Sequence, residues 1–125
     1  MMASNSNLVI GSEVSHYALD ITSLSELEET QKKDIKILKV MHCNQLTSLN
    51  GADAFPNLIE LNCSSNQIHV VDHVFGLKKL VVLDLSCNNI SSVPDLSTLS
   101  SLESLNLSHN RITDLQGLSH VNYIE

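Results

Sequence analysis

The chain lacks tryptophan, and aromatic residues make up only 3% of its 125 positions. Its core must therefore be aliphatic, and a hydrophobic content of 42% is enough for one domain. No apolar run approaches transmembrane length. The polar start carries neither the apolar stretch of a secretory signal nor the glycine that myristoylation requires. We expect a soluble, cytoplasmic protein, without excluding the nucleus.

Basic residues and cysteines are also few. Seven Lys and Arg stand against fourteen Asp and Glu, which gives a formal charge of −7. This balance disfavours a general nucleic-acid or anionic-membrane surface, whereas it permits a basic partner or serves solubility. The three cysteines form no Cys-x-x-Cys motif and their number is odd, so a disulfide framework is not expected.

One pattern recurs along the chain: Leu-x-x-Leu-x-Leu-x-x-Asn-x-Ile. It occupies residues 80–90 and 102–112, and residues 58–68 with Cys63 in place of the third leucine, so its starts lie twenty-two residues apart. An earlier version begins at Ile35, with Cys43 at the Asn place and one inserted residue before Leu46. An internal period of this length predicts a solenoid in which neighbouring repeats share one core.

The spacing within each repeat predicts its structure. Places 4 and 6 point the same way in a strand, so successive repeats should stack as a parallel sheet about 4.8 Å apart. The apolar places 14, 17 and 20 step by three, which favours short 3₁₀ or single helical turns in the return segment. The Asn at place 9 should turn inward and bond backbone groups as a ladder, at Asn66, Asn88 and Asn110.

These motifs resemble the leucine-rich repeat family, over roughly residue 35 to the end. The resemblance implies an α/β fold: a right-handed solenoid with a curved parallel sheet on its concave face and short turns on its convex face. The twenty-two-residue period further resembles the intracellular class of the leucine-rich regulatory subunit of protein phosphatase 1. Ciliary, centrosomal and other cytoskeletal proteins carry similar repeats.

Four segments follow from this pattern. Residues 1–12 are predicted to be a flexible N-terminus, from which residues 8–10 could add a short strand to the stack. Residues 13–34 are predicted to form an N-terminal cap with a helix, and residues 35–125 the repeats. The repeat bounds are 35–57, 58–79, 80–101 and 102–123, with a fifth beginning at 124.

The cap is assigned from two local signals. Tyr17, Leu19 and Ile21 alternate with polar residues, which predicts a short strand. Ser23 and Glu26 form a capping-box signature, which predicts a helix from about Leu24 to Lys33. At the other end no capping segment follows the fourth repeat. We expect either a fragment of a longer protein or an open end that another surface covers.

The candidate binding surface is the concave sheet, whose places 2, 3, 5, 7 and 8 should face solvent. Apolar residues there can mark a partner site, although β-propensity alone would also place them on a strand. The candidate partner-binding residues are Ile37, Lys39, Met41, Ile59, Glu60, Asn62, Val82, Asp84, Ser104, Asn106 and His109.

No catalytic, cofactor or metal site is expected. His69 and His73 lie four apart, but on a return segment without a third ligand nearby. Cys87 and His109 occupy the same place in neighbouring repeats and could lie about 5 Å apart, yet no oxyanion donors accompany them. The predicted function is a non-catalytic scaffold or targeting module that docks a protein partner and binds neither nucleic acid directly nor membrane. The alternatives are a regulatory subunit of a phosphatase-like enzyme, a module that self-associates through its open C-terminal end, and a protein-bound subunit of an RNA–protein particle.

Overall fold

A computed structural model describes residues 6–28, 31–114 and 116–118. Its central element is a six-stranded sheet in the order β1 to β6. The strands are β1 (Ser6–Ile10), β2 (Glu13–Tyr17), β3 (Ile37–Met41), β4 (Glu60–Asn62), β5 (Val82–Asp84) and β6 (Ser104–Asn106). Strands β2 to β6 are parallel, and β1 pairs antiparallel with β2. The predicted parallel sheet of stacked repeats is confirmed, whereas the handedness and curvature of the solenoid stay predictions.

The core lies on one side of this sheet and is mainly aliphatic, with the fully buried Phe55 as an aromatic member. In the register the place-4 leucines Leu38, Leu61, Leu83 and Leu105 pair in series, and all four are fully buried. The return segments supply the opposite wall with buried residues such as Leu49, Val71 and Leu99. Because a side chain of one repeat packs against those of the repeats before and after it, the repeats stabilise one another.

The predicted asparagine ladder is present. The Asn66 side chain accepts a bond from the Cys43 amide (2.7 Å) and donates to the carbonyls of Val40 and Cys63, both at 2.8 Å. Asn88 repeats the arrangement one turn later, accepting from the Ile68 amide at 2.9 Å. The Asn110 side chain accepts a bond from the Ile90 amide and donates to the carbonyls of Leu85 and Leu107. Each asparagine thus bridges its own strand and the preceding one, which satisfies buried loop backbone.

The predicted helix from Leu24 to Lys33 is wrong. The structure has a 3₁₀ turn at Leu24–Glu26 and another at Lys32–Asp34, and Leu27 is already extended, with φ −73° and ψ 131°. Leu24 and Leu27 are both buried and lie three residues apart. A 3₁₀ turn repeats every three residues, so one short turn is enough to place both side chains in the core.

The N-terminal strands also differ from the prediction. The alternation of Tyr17, Leu19 and Ile21 does not form a strand, because the chain turns at Ala18, whose φ is 58°. The strand lies just before it, at Glu13–Tyr17, where Val14 and His16 face the core. Residues 6–10, assigned to a flexible N-terminus, form β1, so the alternative of an added strand describes them better.

The return segments are short. A 3₁₀ turn at Ala52–Ala54 follows Gly51 in the first repeat, and another lies at Gln116–Leu118 in the fourth. In the second and third repeats turns and extended segments connect the strands. Leu115 and Val121 occupy the apolar places 14 and 20 of the fourth repeat. They lie outside the described residues, as do the fifth-repeat start at Ile124 and the C-terminal end.

The capping box at the start of the first 3₁₀ turn is confirmed. The Glu26 carboxylate accepts bonds from the Thr22 amide (2.8 Å), the Thr22 hydroxyl (2.9 Å) and the Ser23 amide (3.0 Å). The Ser23 hydroxyl donates to the Asn50 carbonyl at 3.0 Å, which attaches the turn to the first repeat. The bonds from Thr22 are the main reason that the pKa of Glu26 is lowered from its ordinary value.

This lowered pKa makes the contribution of Glu26 to stability depend on pH. A depressed folded-state pKa stabilises the fold above the unfolded pKa, and this stabilisation is lost as the pH falls through the folded value. Glu26→Gln should therefore unfold at a lower urea concentration than the parent at pH 7, and the gap should close in acid. Urea unfolding at pH 7 and at about pH 3 measures this. Glu28→Gln is the matched control, since Glu28 accepts no bond from the described residues; an equal loss in that variant would contradict the prediction.

Candidate functional site

The open face of the sheet, opposite the core, carries side chains in columns. The register aligns Glu13, Ile37, Glu60, Val82 and Ser104 in a first column. A second column contains Ser15, Lys39, Asn62, Asp84 and Asn106. Parallel strands repeat a position every 4.8 Å or so, so a partner on this face would contact several repeats at once. This is the face that the sequence analysis predicts to be concave.

The structure brings most of the predicted partner-binding residues together on this face. Nine of them lie within the strands and are half-buried: Ile37, Lys39, Met41, Glu60, Asn62, Val82, Asp84, Ser104 and Asn106. Ile59, directly before β4, is 40% exposed. His109 is exposed three residues beyond β6, in a turn where its φ is 57°.

The apolar part of the open face is divided rather than continuous. Glu60 lies between Ile37 and Val82 in the first column, so its carboxylate separates the two apolar side chains. Val81, half-buried, and Ile59 extend the apolar surface toward the start of the strands. A partner would meet two apolar areas with an acidic group between them.

Side chains of the second column also stabilise the turns that follow the strands. The side-chain oxygens of Asn62, Asp84 and Asn106 each accept a bond at 3.0 Å from the amide two residues ahead. The hydroxyls of Ser86 and Ser108 add bonds of 2.7 Å to the same oxygens. The serines at place 7 therefore close the turn after each strand. Within the described parts of the chain the side-chain nitrogens (Nδ2) of Asn62 and Asn106 have no hydrogen-bond partner, so both can donate to a ligand.

Strand β2 adds residues that the sequence analysis missed. The Glu13 carboxylate lies 3.4 Å from the Lys39 ammonium and accepts a bond from the Ser15 hydroxyl at 3.3 Å. Tyr17 pairs with Met41 in the register and is 37% exposed. The sequence signal that could have found β2 was spacing, since Val14 lies twenty-four residues before its register partner Leu38, which is close to the repeat period. The histidine at the next core place obscured the apolar alternation.

The cysteines show no catalytic arrangement. Cys43 and Cys63 are buried free thiols, and burial raises the pKa of both, so they remain protonated. Cys87 is an exposed free thiol whose amide donates to the Ser108 carbonyl at 2.9 Å. In the described ranges its sulfur makes no hydrogen bond to His109.

The two histidines of the second return segment are not part of a metal-binding cluster in the residues that the structure covers. His69 and His73 belong to no group of three or more potential ligands there. His73 instead lies 3.5 Å from the Asp72 carboxylate. None of the described helices is both long and apolar enough to cross a bilayer.

Comparison with known proteins agrees with the architecture. The family model described as Leucine Rich repeats (2 copies) matches the chain twice, at residues 56–98 and 78–120. The two overlapping matches cover just over half of the chain. No curated protein matches it. Leucine-rich repeats generally mediate protein–protein interaction, and their solenoid is typically non-catalytic. The repeated strands, the asparagine ladder and the family match together show that this chain belongs to the leucine-rich repeat family.

Proposed function

We propose that the chain is a non-catalytic scaffold or targeting module that docks a protein partner on the open face of its sheet. The observation that carries this proposal is the set of in-register columns of half-exposed side chains across β3 to β6, which Glu13 of β2 extends. The backbone already holds these side chains at fixed spacing, so binding costs less ordering than a flexible loop would require.

The chemistry of the open face describes the partner. Apolar contacts are available at Ile37, Met41 and Val82, and hydrogen-bond donors at the amides of Asn62 and Asn106. The Glu13–Lys39 pair is neutral as a unit, whereas Glu60 and Asp84 add negative charge. A partner with a protruding apolar side chain and basic groups around it would complement this surface.

We also propose a cytoplasmic location. Three free thiols in one small domain suit a reducing compartment, where cysteines remain unpaired.

The proposal is tested by a double substitution on the open face. Val82→Glu with Asn106→Arg places two charges in the columns, on the face opposite the core. The arginine also removes the acceptor of the two bonds from Ser108, so binding is compared only for folded variants. We expect a partner captured from lysate, identified by mass spectrometry and purified, to bind this variant at least about tenfold more weakly, because buried unpaired charges oppose docking. Titration calorimetry of the purified pair measures the difference.

The matched control places the same charges elsewhere. Val70→Glu with Thr113→Arg alters two exposed residues of the return segments. This control should bind as the parent does, provided that circular dichroism shows both variants to be folded. If the partner binds the open-face variant as tightly as the parent but binds the control more weakly, the interface lies on the return segments and the proposal is refuted.

A further inference from the structure

The few basic residues are not spread evenly over this acidic chain. Five of its six lysines lie at the start-of-strand edge of the sheet, around the first three repeats: Lys32, Lys33, Lys36, Lys78 and Lys79. Three of them line a shallow surface groove of about 450 Å³ with Asp34, Asn57 and Ile59. The groove is a local basic site on a molecule whose formal charge is −7.

Hydrogen bonds position one of the three cations of the groove, Lys79, and connect it through Asn57 to the backbone of Lys33. The Lys79 ammonium donates to the Asn57 side-chain oxygen at 3.0 Å, and the Asn57 amide nitrogen donates to the Lys33 carbonyl at 2.7 Å. An ammonium has three donors, so Lys79 keeps two for a ligand. In residues 6–28, 31–114 and 116–118, no carboxylate lies within ion-pairing distance of Lys33, Lys36 or Lys79. Asp34, although it lines the groove, neutralises none of them directly.

The groove also offers an apolar contact. Ile59 is 40% exposed, and its amide donates to the Lys36 carbonyl at 2.7 Å, so the two residues lie side by side, directly before β4 and β3. A site that combines several cations with an exposed aliphatic side chain matches an acidic peptide that carries an apolar residue. A nucleic acid would instead meet few cations, together with the negative charges of Asp34 and the nearby Glu60.

We propose that this groove binds an acidic segment of a protein partner, in which carboxylates flank an apolar side chain. The inference goes beyond docking on the open face, because the groove lies at the edge of the sheet. The groove extends over three strands, about 10 Å at 4.8 Å per strand. An extended chain covers that distance with about three residues, so a Glu-Leu-Asp segment has the required length.

The test uses a fluorescein-labelled nonapeptide of alternating Glu and Asp with a central Leu, titrated with the full chain by fluorescence anisotropy. We expect saturable binding that weakens severalfold when NaCl is raised from about 50 to about 300 mM, since exposed charges are screened. Lys36→Glu with Lys79→Glu should weaken binding at least about tenfold, because two attractive contacts become repulsive.

The control variants separate the groove from overall charge. Arg111→Glu reverses one side-chain charge in the same sense at an exposed residue far along the chain, and it should alter the affinity by less than about twofold. Lys36→Glu alone, which makes the same change in net charge, should weaken binding clearly more. Circular dichroism establishes that each variant is folded.

Three results would overturn the inference. The first is an absence of saturable binding to the folded parent chain. The second is an equal loss in Lys36→Glu and Arg111→Glu, which would assign the affinity to net charge. The third is equal or tighter binding of a single-stranded oligonucleotide of the same charge, which would indicate a general polyanion surface.

Discussion

Replacing Gly51 with alanine is expected to lower the free energy of unfolding by about 3 kcal/mol, through a backbone clash and a disfavoured φ. Gly51 has φ 100°, a conformation that residues with a Cβ rarely adopt. A Cβ at this position would overlap the Ser25 amide nitrogen and lie 2.7 Å from the Leu24 carbonyl carbon. Both are backbone atoms of the first 3₁₀ turn, so the turn has to move away from the first repeat.

Urea unfolding measures the loss, and hydrogen exchange locates it. We expect amides of residues 12–27 to exchange faster in Gly51→Ala, while those of β4 and β5 stay protected. Gly76→Ala is the matched control, because a Cβ there would meet no atom within 4 Å. Equal stability of the two alanine variants would show that the close approach at Gly51 does not hold the cap in place.

The repeats could be predicted from sequence because their signal is redundant. Leu61, Leu83 and Leu105 occupy the same place in successive units, so an error at one position is corrected by the others. The asparagine at place 9 follows the same logic, since its amide is the group that can satisfy the turn at each strand end. Parallel stacking, the core face and the ladder all follow from this one period.

The N-terminal cap could not be predicted in the same way because it occurs once. A pair of leucines three residues apart is compatible with both an α-helix and a 3₁₀ turn. The choice depends on the tight contact at Gly51 and on the bond from Ser23 to the Asn50 carbonyl, which are tertiary. The capping box itself is local, and it was predicted correctly.

The candidate site could likewise be predicted only in part from the sequence. The columns of the open face follow from strand alternation, so Lys39, Asn62 and Asp84 could be aligned from sequence alone. The basic groove could not, because Lys33 and Lys79 lie in different connections, forty-six residues apart. Only the fold shows that Asn57 joins them. A charge count over the whole chain therefore concealed a local site of the opposite sign.

Asn88→Ala is expected to lower the free energy of unfolding by about 3 kcal/mol, which is in the range for an unsatisfied buried donor together with a small cavity. The Ile68 amide, bonded to the Asn88 side chain at 2.9 Å, would lose its partner. The carbonyls of Cys63 and Leu85 would each keep one bond, from Asn66 and Asn110 respectively. The cost should therefore come mainly from the Ile68 amide and the vacated volume.

The neighbouring Asn89 is the control for this prediction. Its side chain donates to the Gln67 side-chain oxygen at 2.7 Å on the surface, where water can replace that bond. Asn89→Ala should therefore cost no more than about 0.5 kcal/mol in urea unfolding. Because Asn88 joins the second and third repeats, its loss should also broaden the unfolding transition as the two halves of the stack uncouple. A sharp transition at the parent's midpoint in Asn88→Ala would mean that packing of the leucines, and not the ladder, couples the repeats.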